Sequence, residues 1–225
     1  MKVIAIVLAG GSGLRFGGSI PKQFVRVRGK MIIEYCLEVI CASSKVDGIW
    51  IVCDEKYRKM INKIKTEKFM GFSDPGENRQ LSVYNALKDM EKEIHDEDTC
   101  VLVHDAARPM LSLNLIKKCV EMTEGHDGAM PVLPMTDTVY VSEDGMHVKA
   151  LLNRREIFAG QAPEIFNYMK YKAAIEKLSH DEIIHIHGSS EPAIMAGMDI
   201  AIFPGDKKNI KITTADDIRA FEQMI

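Results

Sequence analysis

The run Val3-Ile4-Ala5-Ile6-Val7-Leu8-Ala9-Gly10-Gly11-Ser12-Gly13-Leu14-Arg15-Phe16-Gly17-Gly18 constrains every other segment of the chain. Six apolar residues without a polar interruption make a strand buried on both faces, as in the middle of a parallel sheet. The stretch is too short to span a membrane and has no small-residue cleavage site after a long apolar core. Glycines at the carboxyl end of such a strand let the backbone approach a ligand closely, and free N–H groups there cradle phosphate oxygens. The spacing lacks the closing Gly-Lys-Ser/Thr of a P-loop, and no helix follows at once as in a dinucleotide fold. Beyond the glycines come Pro21-Lys22-Gln23, so Arg15 and Lys22 are candidate cations for a phosphate chain. The alternative is a flexible turn with surface cations.

Working outward, apolar runs alternate with helical patterns. Ile49 to Cys53 and Cys100 to His104 read as later strands. Met31 to Ala42, Asn78 to Lys92 and Leu113 to Thr123 read as helices, the first with Ile33, Leu37 and Ile40 toward the sheet. From Met130 to about Phe166 the pattern changes. Thr138 to Val141 and His147 to Leu151 flank the turn-rich Ser142-Glu143-Asp144-Gly145 as a β-hairpin. A lone hairpin buries little, so it reads as an arm reaching another subunit. A helix over 167–178, a short helix near Glu191 to Ala196, strands Asp199 to Phe203 and Ile210 to Thr213, and a helix from Ala215 capped by Thr214 complete the chain. The expectation is an α/β, Rossmann-like, mostly parallel sheet with helices on both faces, in one domain over 1–225 with a β-arm at about 135–160.

The 225 residues are 46% hydrophobic and 27% charged, enough for a sizeable core. A net charge of −3 supplies no global basic field for nucleic acid or an anionic membrane, so a phosphate ligand must be met locally. Cys36, Cys41, Cys53, Cys100 and Cys119 are odd in number and lack metal spacing, which points to reduced thiols and the cytoplasm.

Three further motifs carry chemistry. Val101-Leu102-Val103-His104-Asp105-Ala106-Ala107-Arg108-Pro109 is a buried strand ending in an acid, at the edge where open α/β sheets bind ligands. Asp105 is therefore the candidate for Mg²⁺, a cation that takes one or two carboxylates beside substrate phosphates. The alternative is a loop ion pair with Arg108. His104 reads as a hydrogen-bonded structural histidine. Pro75-Gly76-Glu77-Asn78 opens the helix on which Arg79 and Ser82 share a face. That face reads a base edge, or else Arg79 is a solvated charge and Ser82 a packing residue. In Asn209-Ile210-Lys211-Ile212-Thr213 the isoleucines alternate inward, placing Asn209, Lys211 and Thr213 on the other face. Lys211 then neutralises a transferred phosphate, or decorates an edge strand.

Together these segments resemble the cytidylyltransferase family that includes 2-C-methyl-D-erythritol 4-phosphate cytidylyltransferase and the similar ribitol 5-phosphate enzyme. The resemblance implies transfer of CMP from CTP to a polyol phosphate with release of pyrophosphate. Methylerythritol phosphate, an isoprenoid precursor, is the first choice of acceptor, and ribitol 5-phosphate for surface polymers the second. By position it implies nucleotide contacts at Ala9, Gly10, Gly11, Gly13, Gly76, Glu77 and Ser82, with Arg79 supporting the cytosine wall. Arg15, Lys22 and Lys211 become the catalytic clamps and Asp105 the Mg²⁺ or acceptor residue. It also implies a homodimer in which Thr138 and Arg154 of one subunit meet the acceptor phosphate near Arg108 of the other. The chain departs from the pattern at Ala162, where the family has threonine, at Pro75, where it has glycine, and at Gly188 to Gly197, where it has an acidic, small-residue segment. Two rivals stand beside this reading: a sugar 1-phosphate nucleotidyltransferase using UTP or GTP, and a non-catalytic nucleotide sensor.

Overall fold

The computed structural model describes residues 1–11, 20–61, 66–94 and 96–225. Ser12 to Ser19 lie outside the described residues, and with them the expectations for Gly13 and Arg15.

In chain order the strands are β1 (Val3–Leu8), β2 (Arg26–Val27), β3 (Lys30–Met31), β4 (Gly48–Val52), β5 (Phe69–Ser73), β6 (Cys100–Asp105), β7 (Gly128–Pro134), β8 (Tyr140–Val141), β9 (Ala150–Leu151), β10 (Phe158–Gly160), β11 (Glu164–Asn167) and β12 (Ile200–Pro204). The helices are α1 (Ile32–Ala42), α2 (Glu55–Ile61), α3 (Arg79–Asp89), α4 (Leu113–Glu121), α5 (Tyr168–Glu176), α6 (His180–Ile184), α7 (Ser190–Met195) and α8 (Ala215–Met224). The main sheet runs β10-β7-β11-β6-β1-β4-β5, with β12 also paired to β7. β4, β1 and β6 are parallel, whereas β11 runs antiparallel between β6 and β7.

β1 shows why its run of apolar residues has no polar face. Val3, Ala5 and Val7 pack with α1 and α4 through Ile33, Leu37, Ile116 and Cys119. Ile4 and Ile6 pack on the other face with Val83 and Leu87 of α3 and Tyr171 of α5. Period-two alternation thus feeds two cores, one on each side of the sheet. All five cysteines are unpaired. Burial pushes the Cys36 and Cys53 thiols up to about 12, so neither is a nucleophile at neutral pH. Among the described residues no helix is long and apolar enough to cross a membrane.

The hairpin is present, with only Tyr140–Val141 and Ala150–Leu151 in the ladder. Tyr140, Met146, Val148 and Leu151 are exposed on it. The segment expected as a strand from Ile210 to Thr213 is not one. It crosses the end of the sheet, joined by a single bond from Ile212 N–H to Ala107 O (2.8 Å), which is too little for a ladder. Asn209 is correspondingly buried rather than on the face of Lys211, because its amide donates to Ala162 O at 2.6 Å. The α3 helix starts at Arg79 with Asn78 as its cap, the Asn78 side chain accepting from Leu81 N–H. Thr214 caps α8 as expected, in a reciprocal box with Asp217.

Candidate active site

Parallel pairing brings the carboxyl ends of β1, β4 and β6 to one level: Leu8 lies opposite both Val52 and Asp105. Above that edge is a hollow of about 480 Å³. Gly10, Gly11 and Lys22 form one wall, Gly76, Glu77, Arg79 and Ser82 another, with Asp105 and Lys211 between them. Four sequence segments far apart along the chain therefore meet in one place, the crevice outside the strand ends of an open α/β sheet.

Each wall has a local cause. Pro21 (φ −57°) precedes a one-turn 3-10 helix, Lys22–Phe24, that turns Lys22 toward the hollow and buries Gln23. The Gln23 amide donates to Ala9 O (2.6 Å) and Gly11 O (2.9 Å), tying down the base of the glycine loop. Opposite, Gly76 N–H donates to Ser82 Oγ (3.0 Å), and Ser82 Oγ donates to Asn78 O (2.8 Å), so the turn is stitched to the first turn of α3. The two walls touch where a Cβ on Gly10 would lie 2.3 Å from Cβ of Pro75. The proline ring is rigid and cannot yield. Gly10→Ala is therefore expected to prise the walls apart and weaken ligand binding in this hollow at least about tenfold, as titration of the purified variant would show.

At the floor, Asp105 is held by cations. Lys211 Nζ lies 2.8 Å from Oδ2, Arg79 Nε donates to Oδ1 at 2.9 Å, and Arg108 Nε stands 3.8 Å away. Burial alone would raise this carboxyl. The Arg79 guanidinium and Lys211 ammonium outweigh burial and hold it far below the usual carboxylate range. Arg79 answers in kind. Burial would lower it, but Asp105 and Glu164 push it above its ordinary value. His104 is fully buried, with Nε2 donating to Arg108 O (3.1 Å), and burial lowers it to about 4, so it stays neutral as a structural residue.

A second hollow of about 210 Å³ adjoins the first and shares Arg79, Asp105 and Lys211 with it. Arg108, Glu164 and Ser189 belong to this smaller space. Thr138 and Arg154 do not line either hollow. Both are exposed on the arm, where Arg154 Nη1 donates to Thr136 O at 2.9 Å. Ala9 is buried rather than in the wall, its N–H spent on Val52 O at 2.8 Å. Arg79 is no solvated charge, since it is gripped by Asp105, Ser189 and Glu164. Gln23, Glu164 and Ser189 were not singled out from the sequence. A lone glutamine beside Lys22 carries no periodic signal, while Glu164, a charge among the apolar neighbours of β11, was a visible anomaly.

Two adjoining hollows that share cations suit a reaction between two phosphate-bearing ligands. A family model described as 2-C-methyl-D-erythritol 4-phosphate cytidylyltransferase (IspD) matches residues 3–225. The chain is 31% identical over 232 residues to the protein of that name from Geotalea uraniireducens, covering 100% of this chain and 97% of that protein. It is 33% identical over 216 residues to that of Thermotoga neapolitana, covering 96% and 93%. Among solved structures, 2-C-methyl-D-erythritol 4-phosphate cytidylyltransferase from Francisella tularensis superposes with a TM-score of 0.85 at 26% identity, covering 100% of both chains. With the match spanning the sheet, both walls and the arm, the chain belongs to the 2-C-methyl-D-erythritol 4-phosphate cytidylyltransferase family.

Proposed function

We propose that this chain transfers CMP from CTP to 2-C-methyl-D-erythritol 4-phosphate, releasing pyrophosphate and forming the cytidine diphosphate of the polyol. One observation carries the reading: Lys22 and Lys211 converge with Asp105 on a single hollow, and Lys211 also borders the adjoining one. CTP fills the larger space, with cytosine against Gly76, Glu77 and Ser82 and the triphosphate over Gly10 and Gly11 near Lys22. Arg15 and Gly13 belong to the same loop in sequence and are assigned to the triphosphate with it. The acceptor enters the smaller space, where Arg108 and Lys211 meet its phosphate.

An acceptor phosphate oxygen attacks the α-phosphorus in line, the bond to the bridging oxygen breaks, and pyrophosphate carries away the electron pair. The attacking phosphate is already ionised at neutral pH, so no general base is required, and catalysis reduces to positioning and charge stabilisation. Among the described residues no three His, Cys, Asp or Glu side chains gather to hold a metal. Mg²⁺ would be held by triphosphate oxygens with Asp105 as its protein ligand, whose oxygens keep lone pairs beyond those given to Arg79 and Lys211. Bound there it would neutralise charge on the triphosphate.

We assign all 225 residues to one nucleotidyltransferase domain acting in the cytoplasm, a place the five unpaired thiols favour. The arm pairs two copies, so that Thr138 and Arg154 complete the partner's acceptor site. The exposed apolar residues of the hairpin support this, being of the kind a second subunit covers. The test is pyrophosphate release with Mg²⁺, each of the four nucleoside triphosphates, and a panel of methylerythritol phosphate, ribitol 5-phosphate and sugar 1-phosphates. Turnover confined to CTP and fastest with methylerythritol phosphate is the expected result. Preference for UTP or GTP, or CTP binding without turnover on any acceptor, would reject it.

A further inference from the structure

Glu164 is a carboxylate that the transfer chemistry above does not use. It stands on β11 opposite Val103 of β6, and strand alternation puts it on the sheet face shared by Val103 and Asp105. It is only 6% exposed. Burial pushes its carboxyl above the ordinary value against the pull of Arg79. Such a group is retained at a cost, which calls for a task.

The geometry supplies one. Arg79 offers three nitrogens to three acceptors on three different segments: Nε to Asp105 Oδ1 (2.9 Å), Nη1 to Ser189 Oγ, and Nη2 to Glu164 Oε2 (3.5 Å). Ser189 is fully buried and itself fixed, its carbonyl accepting from the Tyr171 hydroxyl at 2.8 Å. With each nitrogen engaged by the protein, Arg79 acts through what it holds, and it holds Asp105 on the wall between the two hollows. We infer that Glu164 and Ser189 are positioning residues of the transfer reaction: they clamp the Arg79 guanidinium against Asp105 from two sides, and the clamping carboxylate can stand at either position.

This inference rests on the cytidylyltransferase reading, and its test separates the two. Wild type, E164Q, E164D and the double variant E164Q/S189D are compared by steady-state kinetics in CTP and in methylerythritol phosphate, and by thermal unfolding. E164Q removes a charge that burial disfavours and keeps its shape, so its Tm is expected to stay near that of wild type. Its kcat should fall about tenfold with the CTP KM within about twofold, the signature of lost alignment rather than lost binding. E164D, which withdraws the charge from Arg79 by one methylene, should show the same loss. E164Q/S189D restores a carboxylate beside Nη1 and should bring kcat back to within about threefold of wild type. A purely structural role would lower Tm and would not be rescued by a new carboxylate at position 189. Normal kcat in E164Q and E164D, or a double variant no faster than E164Q, overturns the inference while leaving the function standing. An inactive wild type removes both.

Discussion

Replacing Lys211 by alanine is expected to lower kcat by about 100-fold or more while the KM for CTP moves by no more than about threefold. The asymmetry follows from where the ammonium stands. Lys211 borders both hollows and lies 2.8 Å from Asp105, on a stretch held to the sheet edge by Ile212 and anchored by buried Asn209. With the substrates placed as proposed, a cation there would meet bound CTP modestly and the five-oxygen transition state fully, when charge moves between the two ligands. Removing one preorganised charge of this type costs on the order of 10²–10³ in rate. Lys22→Ala should share the direction, with a larger share of its loss in CTP binding because, of the two hollows, it borders the larger one proposed for CTP and not the smaller. The fold survives the change at 211, since Arg79 still neutralises Asp105. Single-turnover rates at saturating CTP, set beside equilibrium CTP binding, decide the point. Near-normal turnover in both lysine variants would end the catalytic assignment of these two residues.

The parts legible in the sequence were those with a local signal. Val3 to Leu8 and Val101 to Val103 announced themselves as central strands because both faces are apolar, and the structure uses both. Helix signals at Ile33, Leu37 and Ile40 and the cap at Thr214 are likewise local chemistry, whereas the sequence pattern begins a helix at Asn78, which the structure uses as the cap. Lys211 was singled out by an alternation that does not exist. Its segment is no strand, Asn209 is buried with its amide on Ala162 O, and what aims the lysine is the carboxylate 2.8 Å away. Tertiary partners of that kind leave no trace in periodicity. The grip on Arg79 was hidden for the same reason, because Glu164 and Ser189 are 85 and 110 residues distant in sequence, the first meeting it once β11 pairs with β6 and the second once α7 packs on α5. The exposed arm was visible as a change of pattern, but its ladder is shorter than the runs on either side of the turn.

The second large effect is expected at Asp105, where Asn should reduce kcat by at least about 100-fold and stability by about 3 kcal/mol, the usual cost of breaking one side of a buried ion pair. The amide keeps the shape but leaves Arg79, Lys211 and Arg108 crowded together with only Glu164, 3.5 Å from Arg79, to offset them. For a chain of this size that loss corresponds to a fall in Tm of about 6–12 °C. Without Mg²⁺, CTP should bind no worse, because a hollow with one negative charge fewer attracts a triphosphate at least as well, whereas with Mg²⁺ present the lost carboxylate ligand offsets that gain. The pH dependence supplies an independent check. The Asp105 carboxyl is held far below its unfolded value of about 3.9, so the folded state binds its proton less tightly than the unfolded chain does. Its contribution is then complete above the unfolded pKa and is lost only as pH falls through the folded one. The stability gap between wild type and Asp105→Asn should therefore be the same at pH 8 and pH 6 and narrow only below about pH 4. Urea unfolding of both proteins across that range measures it. A gap that closes already between pH 8 and pH 6 would mean that the carboxylate is not locked by Arg79 and Lys211, and the charge arrangement on which both hollows depend would have to be redrawn.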